Sequence, residues 1–268
     1  MHPLDAAIAL RSLAEGHWRG RTSEAYGNVI GPFGGMVSAA LVNAVLSDPR
    51  AAGDPVAITV NYCTAIPNGD FDIHSRLIRA GKYLQHWLLE LHSDDKICTT
   101  ATLVLGNRSE TFAMHPAKMP DVPPADRIVP SDTTEAPMNW LRQYEFRTVT
   151  GIAPFNLPEP KTQATSSIAW VSDHPARALD HLSLTSLADT FILRVALARG
   201  RLDPMGTVTL TTYFLATAEE LAEQGSAPVL GLADANRIDG HFHDQPMQIW
   251  SRSGKILATG SQLGWFKG

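Results

Sequence analysis

The sequence predicts an α+β protein in which one unit, a helix followed by a run of antiparallel strands, occurs twice. Three observations carry that prediction. Residues 56–65 (VAITVNYCTA) resemble residues 208–217 (VTLTTYFLAT). Later in each half, DDKICTTATLVLG (94–106) has a counterpart in RSGKILATGSQLG (252–264). The two pairs are offset by similar lengths, 152 residues from Val56 to Val208 and 159 from Lys96 to Lys255. With 268 residues and 44% hydrophobic content, each copy has material for a core of its own.

Residues 4–14 show weak helical periodicity that ends at Gly16. The glycine- and aromatic-rich stretch 17–35 reads as strand and loop. From Gly34 onward, Val37, Leu41, Ala44 and Val45 recur at helical spacing, until Asp48-Pro49 stops the helix. Small residues at Ser38, Ala39 and Ala40 suit that helix to burial against a sheet. Strands are predicted at 55–64, 71–80, 83–92 and 96–106. Turns at Pro67-Asn68-Gly69, Gly81-Lys82 and Ser93-Asp94-Asp95 separate them. This completes a first unit over 1–110. Six prolines between 107 and 138 make 111–138 a linker, or a strap laid over the surface.

The second unit, 139–268, opens with strands near 140–148 and 166–171. In LSLTSLADTFILRVALARG (182–200), Leu184, Leu187, Ala188, Phe191, Ile192, Val195 and Ala196 form one apolar stripe. That pattern predicts a single amphipathic helix closed by Gly200. Strands at 206–216, 227–236, 240–251 and 254–266 then repeat the order of the first half.

Composition excludes several function classes. A net charge of −5 gives no cationic field for nucleic acid or an anionic membrane surface, and leaves room only for local basic pockets. No apolar run has the form of a signal peptide or a membrane span, so a cytoplasmic protein is expected. Cys63 and Cys98 lie in strand-like runs and read as buried free thiols. His241-x-His243 has no accompanying ligand set and reads as exposed strand histidines near a turn. Neither a metal nor a cofactor is expected.

Polar residues present in only one copy are the candidates for function. Gln262 stands where the first copy has Leu103. A buried amide with unmet hydrogen bonds costs about 1–3 kcal/mol. Gln262 therefore either has a purpose or faces outward. Asp189 lies at the edge of the apolar stripe, either as a solvated charge or as a functional carboxylate. The Asp180-His181 pair reads as a cap or loop contact, with a pocket-lining role as the alternative.

Three runs resemble a known family. EGHWRGRTSEAYGNVIGPFGGMVSAAL (15–41) leads from an aromatic-x-Gly run into a Phe-Gly-Gly helix start. Leu179-Asp180-His181 leads into SLADTFIL (186–193), and GKILATGSQLG (254–264) closes the chain with a strand bearing Gln. In order and spacing these are similar to the type II acyl-CoA thioesterases and their thioesterase-like relatives, over nearly the whole chain. The resemblance implies a tandem (double) hotdog, two helices each wrapped by an antiparallel sheet, with the two sheets continuous. It implies hydrolysis of acyl-CoA without a covalent intermediate, by an Asp, a Thr and a Gln of the second unit. These fall on Asp189, Gln262 and a strand threonine, Thr207 by spacing from Phe214, although the strand offers Thr207, Thr209 and Thr211 on one face and Thr209 is kept as a candidate. Backbone N–H groups at Phe33, Gly34 and Gly35 would receive the oxyanion, since the first amides of a helix lack internal partners. His181 would line the substrate site. Assembly into a homodimer or larger homo-oligomer is also implied.

The chain departs from the family in two places. Thr209-Leu210 replaces an Asp-His pair, and Leu263 follows Gln262 where Glu is common. These departures keep a second reading open, a non-catalytic acyl-CoA or acyl-carrier binding protein. A hydratase or dehydratase would need a His beside the helical Asp, and none is present.

Overall fold

The computed structural model describes residues 1–151 and 165–268. The first unit contains α1 (Pro3–Ala7), β1 (Arg11–Ala14), β2 (His17–Arg21), α2 (Gly34–Leu46), β3 (Asp54–Tyr62), β4 (Asp70–Ala80), β5 (Leu84–Ser93) and β6 (Lys96–Gly106). The second contains β7 (Tyr144–Thr150), β8 (Ser167–Asp173), α3 (His181–Leu187), α4 (Arg194–Arg199) and β9 (Met205–Phe214). It continues with α5 (Ala218–Gln224), β10 (Val229–Ala233), β11 (Ile238–Asp239), β12 (Phe242–Trp250) and β13 (Ile256–Phe266). The strands form one antiparallel sheet in the order β1-β2-β4-β5-β6-β3-β9-β13-β12-β10-β8-β7, with β11 attached to β12. Helices α2 and α3 pack against each other and share one apolar core with the sheet. This is the double hotdog. Among the described residues, no helix is long and apolar enough to cross a membrane.

The two units meet where β3 pairs with β9. Thr59 faces Thr211 there, and their hydroxyls hydrogen-bond at 3.0 Å. Their separation of 152 residues equals the sequence offset between the copies, so the pseudo-two-fold axis passes through this pair. On either side, Ile58 pairs with Leu103 and Leu210 pairs with Gln262. Both offsets read in the sequence are thus structural equivalences. The helix α5, closed by a capping box between Thr217 and Glu220, is inserted after β9 and lengthens the offset for the strands beyond it.

Several expectations are corrected. Residues 4–14 form a short helix and then strand β1, because Pro3 starts a helix whose apolar face is only Leu4, Ala7 and Ile8. The single helix over 182–200 is two helices with a break at 188–193, although no Gly or Pro occurs from 182 to 199. Cys98 is buried but Cys63, just past the end of β3, is exposed. His243 is buried on the inner face against Gly264 instead of lying exposed beside His241.

The segment 107–138 lies as a strap across the outer face of the second unit. Arg147 donates to the carbonyls of Ala125 and Ile128 at 3.1 and 2.7 Å, and Trp170 Nε1 donates to Pro123 O at 2.9 Å. Beneath it, Trp170, Leu230 and Trp250 form a second apolar cluster covered by Met119, Val122, Ala125 and Ile128. Strand register places Arg19, Asp72 and His92 at the matching positions of the first unit. There Arg19 pairs with Asp72 at 2.9 Å, and the face needs no cover. The strap follows the apolar surface. Trp250→Ala should therefore cost about 3–5 kcal/mol in urea unfolding. Trp265→Ala, at a site 40% exposed, should stay within about 0.5 kcal/mol.

Candidate active site

Asp189 lies directly after α3, in the break before α4. Its amide bonds to Ser186 O and that of Thr190 to Leu187 O, at 3.3 and 3.1 Å, the shortened spacing of a helix end. The side chain is 8% exposed and crosses to the other unit, where it meets the start of α2. A Cβ on Gly34 would lie 2.7 Å from Asp189 Oδ2 and 3.0 Å from Tyr62 Oη, so only glycine fits there. Phe33, at the N-cap of α2, supplies no side-chain cap. Its ring stacks on Trp140 at 4.2 Å. Asp189 takes the capping place, and an acid there suits the helix dipole. Burial pushes its carboxyl up to about 7, opposed by the Gly35 amide, which favours the charged form.

Tyr62 adds a group from the first unit that the sequence reading missed. Its hydroxyl donates to Gly34 O at 2.9 Å and lies 2.8 Å from Ser38 Oγ. Burial raises the phenol well above its usual range, and the neighbouring Asp189 charge adds to this. Tyr62 ends β3 one residue beyond the Asn61–Thr209 pair.

On the second unit, Thr207 Oγ1 donates to Gln262 Oε1 at 2.9 Å. A register shift between Leu263 and Gly264 leaves Val208 without a partner. That bulge reverses the alternation, so Thr207 shares the inner face with Leu210 and Gln262, and Thr209 does not. Gln262 is 4% exposed and points inward. With its oxygen engaged by Thr207, its NH2 group makes no hydrogen bond among the described residues. No direct bond joins Asp189 to Thr207 or Gln262.

His181 stands apart. It opens α3, eight residues and about 12 Å of helix before Asp189. It packs edge-on against Phe214 at 5.7 Å. Asp180 caps that helix through the Ser183 amide at 2.8 Å. Phe214 is the counterpart of Tyr62, and Leu103 that of Gln262. His181 therefore belongs to the pseudo-symmetric counterpart of the candidate site. Eight residues after Gly34 that counterpart has Val42, in an α2 buried along this stretch. Comparing the copies at Tyr62 and Phe214 would have revealed Tyr62 from sequence.

Fold and geometry define a two-unit hotdog protein with one polar, buried candidate site where the halves meet. Residues 22–106 match the acyl-CoA thioesterase N-terminal domain, and residues 117–266 match the acyl-CoA thioesterase C-terminal domain. The chain belongs to the acyl-CoA thioesterase family and is a thioesterase. A conserved hot dog protein of unknown function from Alicyclobacillus acidocaldarius is 36% identical, with a TM-score of 0.94 over 100% of this chain and 99% of that one. Acyl-CoA thioesterase II TesB2 from Mycobacterium marinum shares the fold, with a TM-score of 0.76 at 15% identity over 98% of each chain. The tesB protein of Mycobacterium avium subs paratuberculosis does so at 0.76 and 15%, over 99% of this chain and 98% of that one. No curated protein sequence matches the chain.

Two outcomes follow. Gly34→Ala should displace the Asp189 carboxyl and lower kcat/KM about 10-fold or more, with an unchanged far-UV spectrum. Asp189→Asn should raise the melting temperature at pH 8 and progressively less towards pH 4. The native carboxyl binds its proton more tightly than the unfolded one, so wild-type stability falls as pH rises from about 4 through about 7. The neutral amide removes that loss.

Proposed function

We propose that the chain hydrolyses acyl-CoA thioesters to free acid and CoA at a single site per chain, using Asp189, Thr207 and Gln262. The observation that carries this reading is the Asp189 carboxyl, buried at the α2 N-terminus with its pKa pushed up to about 7. A carboxylate so placed is basic enough to accept a proton from water near neutral pH. Thr207 engages the Gln262 amide oxygen and leaves its NH2 free to hold the attacking water by its oxygen. Water adds to the thioester carbonyl as its proton passes to Asp189. The oxyanion is received by first-turn amides of α2 that do not face Asp189. When the intermediate collapses, the C–S bond breaks and the proton returns from Asp189 to the departing thiolate. Thr209 takes no part in this scheme. His181 is not needed for it either.

The test is free-thiol release from short-, medium- and long-chain acyl-CoAs. Activity on at least one chain length is expected, with Asp189→Ala lowering kcat/KM about 100-fold or more and Gln262→Ala about 10-fold or more. The wild-type kcat/KM should rise with pH to a plateau, with a midpoint near 7, because only the ionised carboxylate accepts the proton. Binding without release would favour a non-catalytic acyl-CoA binding protein. Release unaffected by either substitution would place the chemistry elsewhere.

A further inference from the structure

The apolar periodicity of its own segment gives no sign of the break that carries Asp189. Residues 182–199 contain no Gly or Pro, and their apolar stripe suits one continuous helix. The corresponding helix of the first unit, α2, runs unbroken for 13 residues. Two side chains of the segment bond to its own carbonyls, Thr190 Oγ1 to Leu187 O at 2.8 Å and Arg194 Nε to Ile192 O at 2.9 Å, and further contacts come from outside it.

Three replacements between the units bear on the break. Trp87 and Leu103 face each other across β5 and β6, and both are buried. Their counterparts on β12 and β13 are Gln245 and Gln262, likewise paired and buried. Gln245 turns into the break. Its Nε2 donates to Phe191 O at 2.9 Å, and its Oε1 accepts from the Arg194 amide at 3.1 Å and from Arg194 Nε at 3.3 Å. Arg194 Nε also donates to Ile192 O at 2.9 Å, and its Nη1 donates to Ser167 Oγ at 2.6 Å. These contacts satisfy the backbone groups that a continuous helix would have paired internally. The third replacement is Gly231, which stands where β4 has Ile73. A Cβ at Gly231 would collide with the Phe191 ring. Glycine there lets Phe191 turn inward as the helix ends.

We infer that Gln245 is a positioning residue for the reaction: by clamping Phe191 and Arg194 it holds the helix break that aims Asp189 at the start of α2. The inference rests on the reading of Asp189 as the base. Gln245 lies opposite Gln262 in the strand pairing, but its side-chain hydrogen bonds go to Phe191 and Arg194 and none goes to Asp189, Thr207 or Gln262. Without the clamp, the chain between 188 and 193 can continue the helix, which rotates Asp189 away from Gly34 and Gly35.

The decisive variant is Gln245→Met, close in volume and unable to form these bonds. It should lower kcat about 10-fold or more with KM within about 2-fold, and move the midpoint of the pH–rate profile by about half a unit or more. In an Asp189→Asn background, the same change should cost nothing further, because both act through one carboxylate. Gly231→Ala, which leaves Gln245 intact but crowds Phe191, should shift the profile in the same direction and provides the test if Gln245→Met fails to fold. An unchanged pH profile in both variants, or additive losses in the double variant, would overturn the inference. If Asp189→Asn itself retained full activity, the reading of the site would fail first, and the two failures are thereby distinguished.

Discussion

The rest of the structure depends on the antiparallel pairing of β3 with β9. Because the pair centred on Thr59 and Thr211 lies on the pseudo-two-fold axis, it joins two half-sheets into one and fixes the register of all the others. It also brings α2 and α3 together over one core. A helix start from one unit then faces a helix end from the other. In each such place the first amides of a helix, which lack partners within it, need a cap: Asp180 caps α3 from its own chain end, and Asp189 of the opposite unit meets α2.

Symmetry makes two such places, and the side chains make them different. At one, Gly34 leaves room for the Asp189 carboxyl, Tyr62 orients the Gly34 carbonyl, and the Thr207–Gln262 pair lies one strand away. At the other, His181 packs on Phe214, and Leu103 takes the place of Gln262. The outer surface follows the same logic. The second unit carries tryptophans and leucine beneath the strap, where the first carries a charged pair and a histidine. Duplication conserves the backbone solution, while single replacements decide which faces are wet, covered or chemically active.

Much of this was legible in the sequence, since both repeat offsets prove to be strand-register equivalences and the anomaly of Gln262 against Leu103 marks an inward amide. The helix break at 188–193 was not legible. Local periodicity favours continuity there, and the opposing terms come from Gln245 and Gly231, distant in sequence, acting with Arg194 at the edge of the break. Nor could alternation choose Thr207 over Thr209, because the bulge at Val208 changes the phase of the strand. His243 was misread for a related reason: its burial depends on Gly264 of the neighbouring strand leaving space for the ring.

Asp189, buried against the opposite unit's helix, is held so that it titrates near neutrality. The most direct measurement is a carbon-13 NMR titration of protein labelled at the aspartate carboxyls, with the resonance assigned by its absence in Asp189→Asn. A midpoint of about 7 is expected. A midpoint near the ordinary aspartate value of about 4 would contradict it.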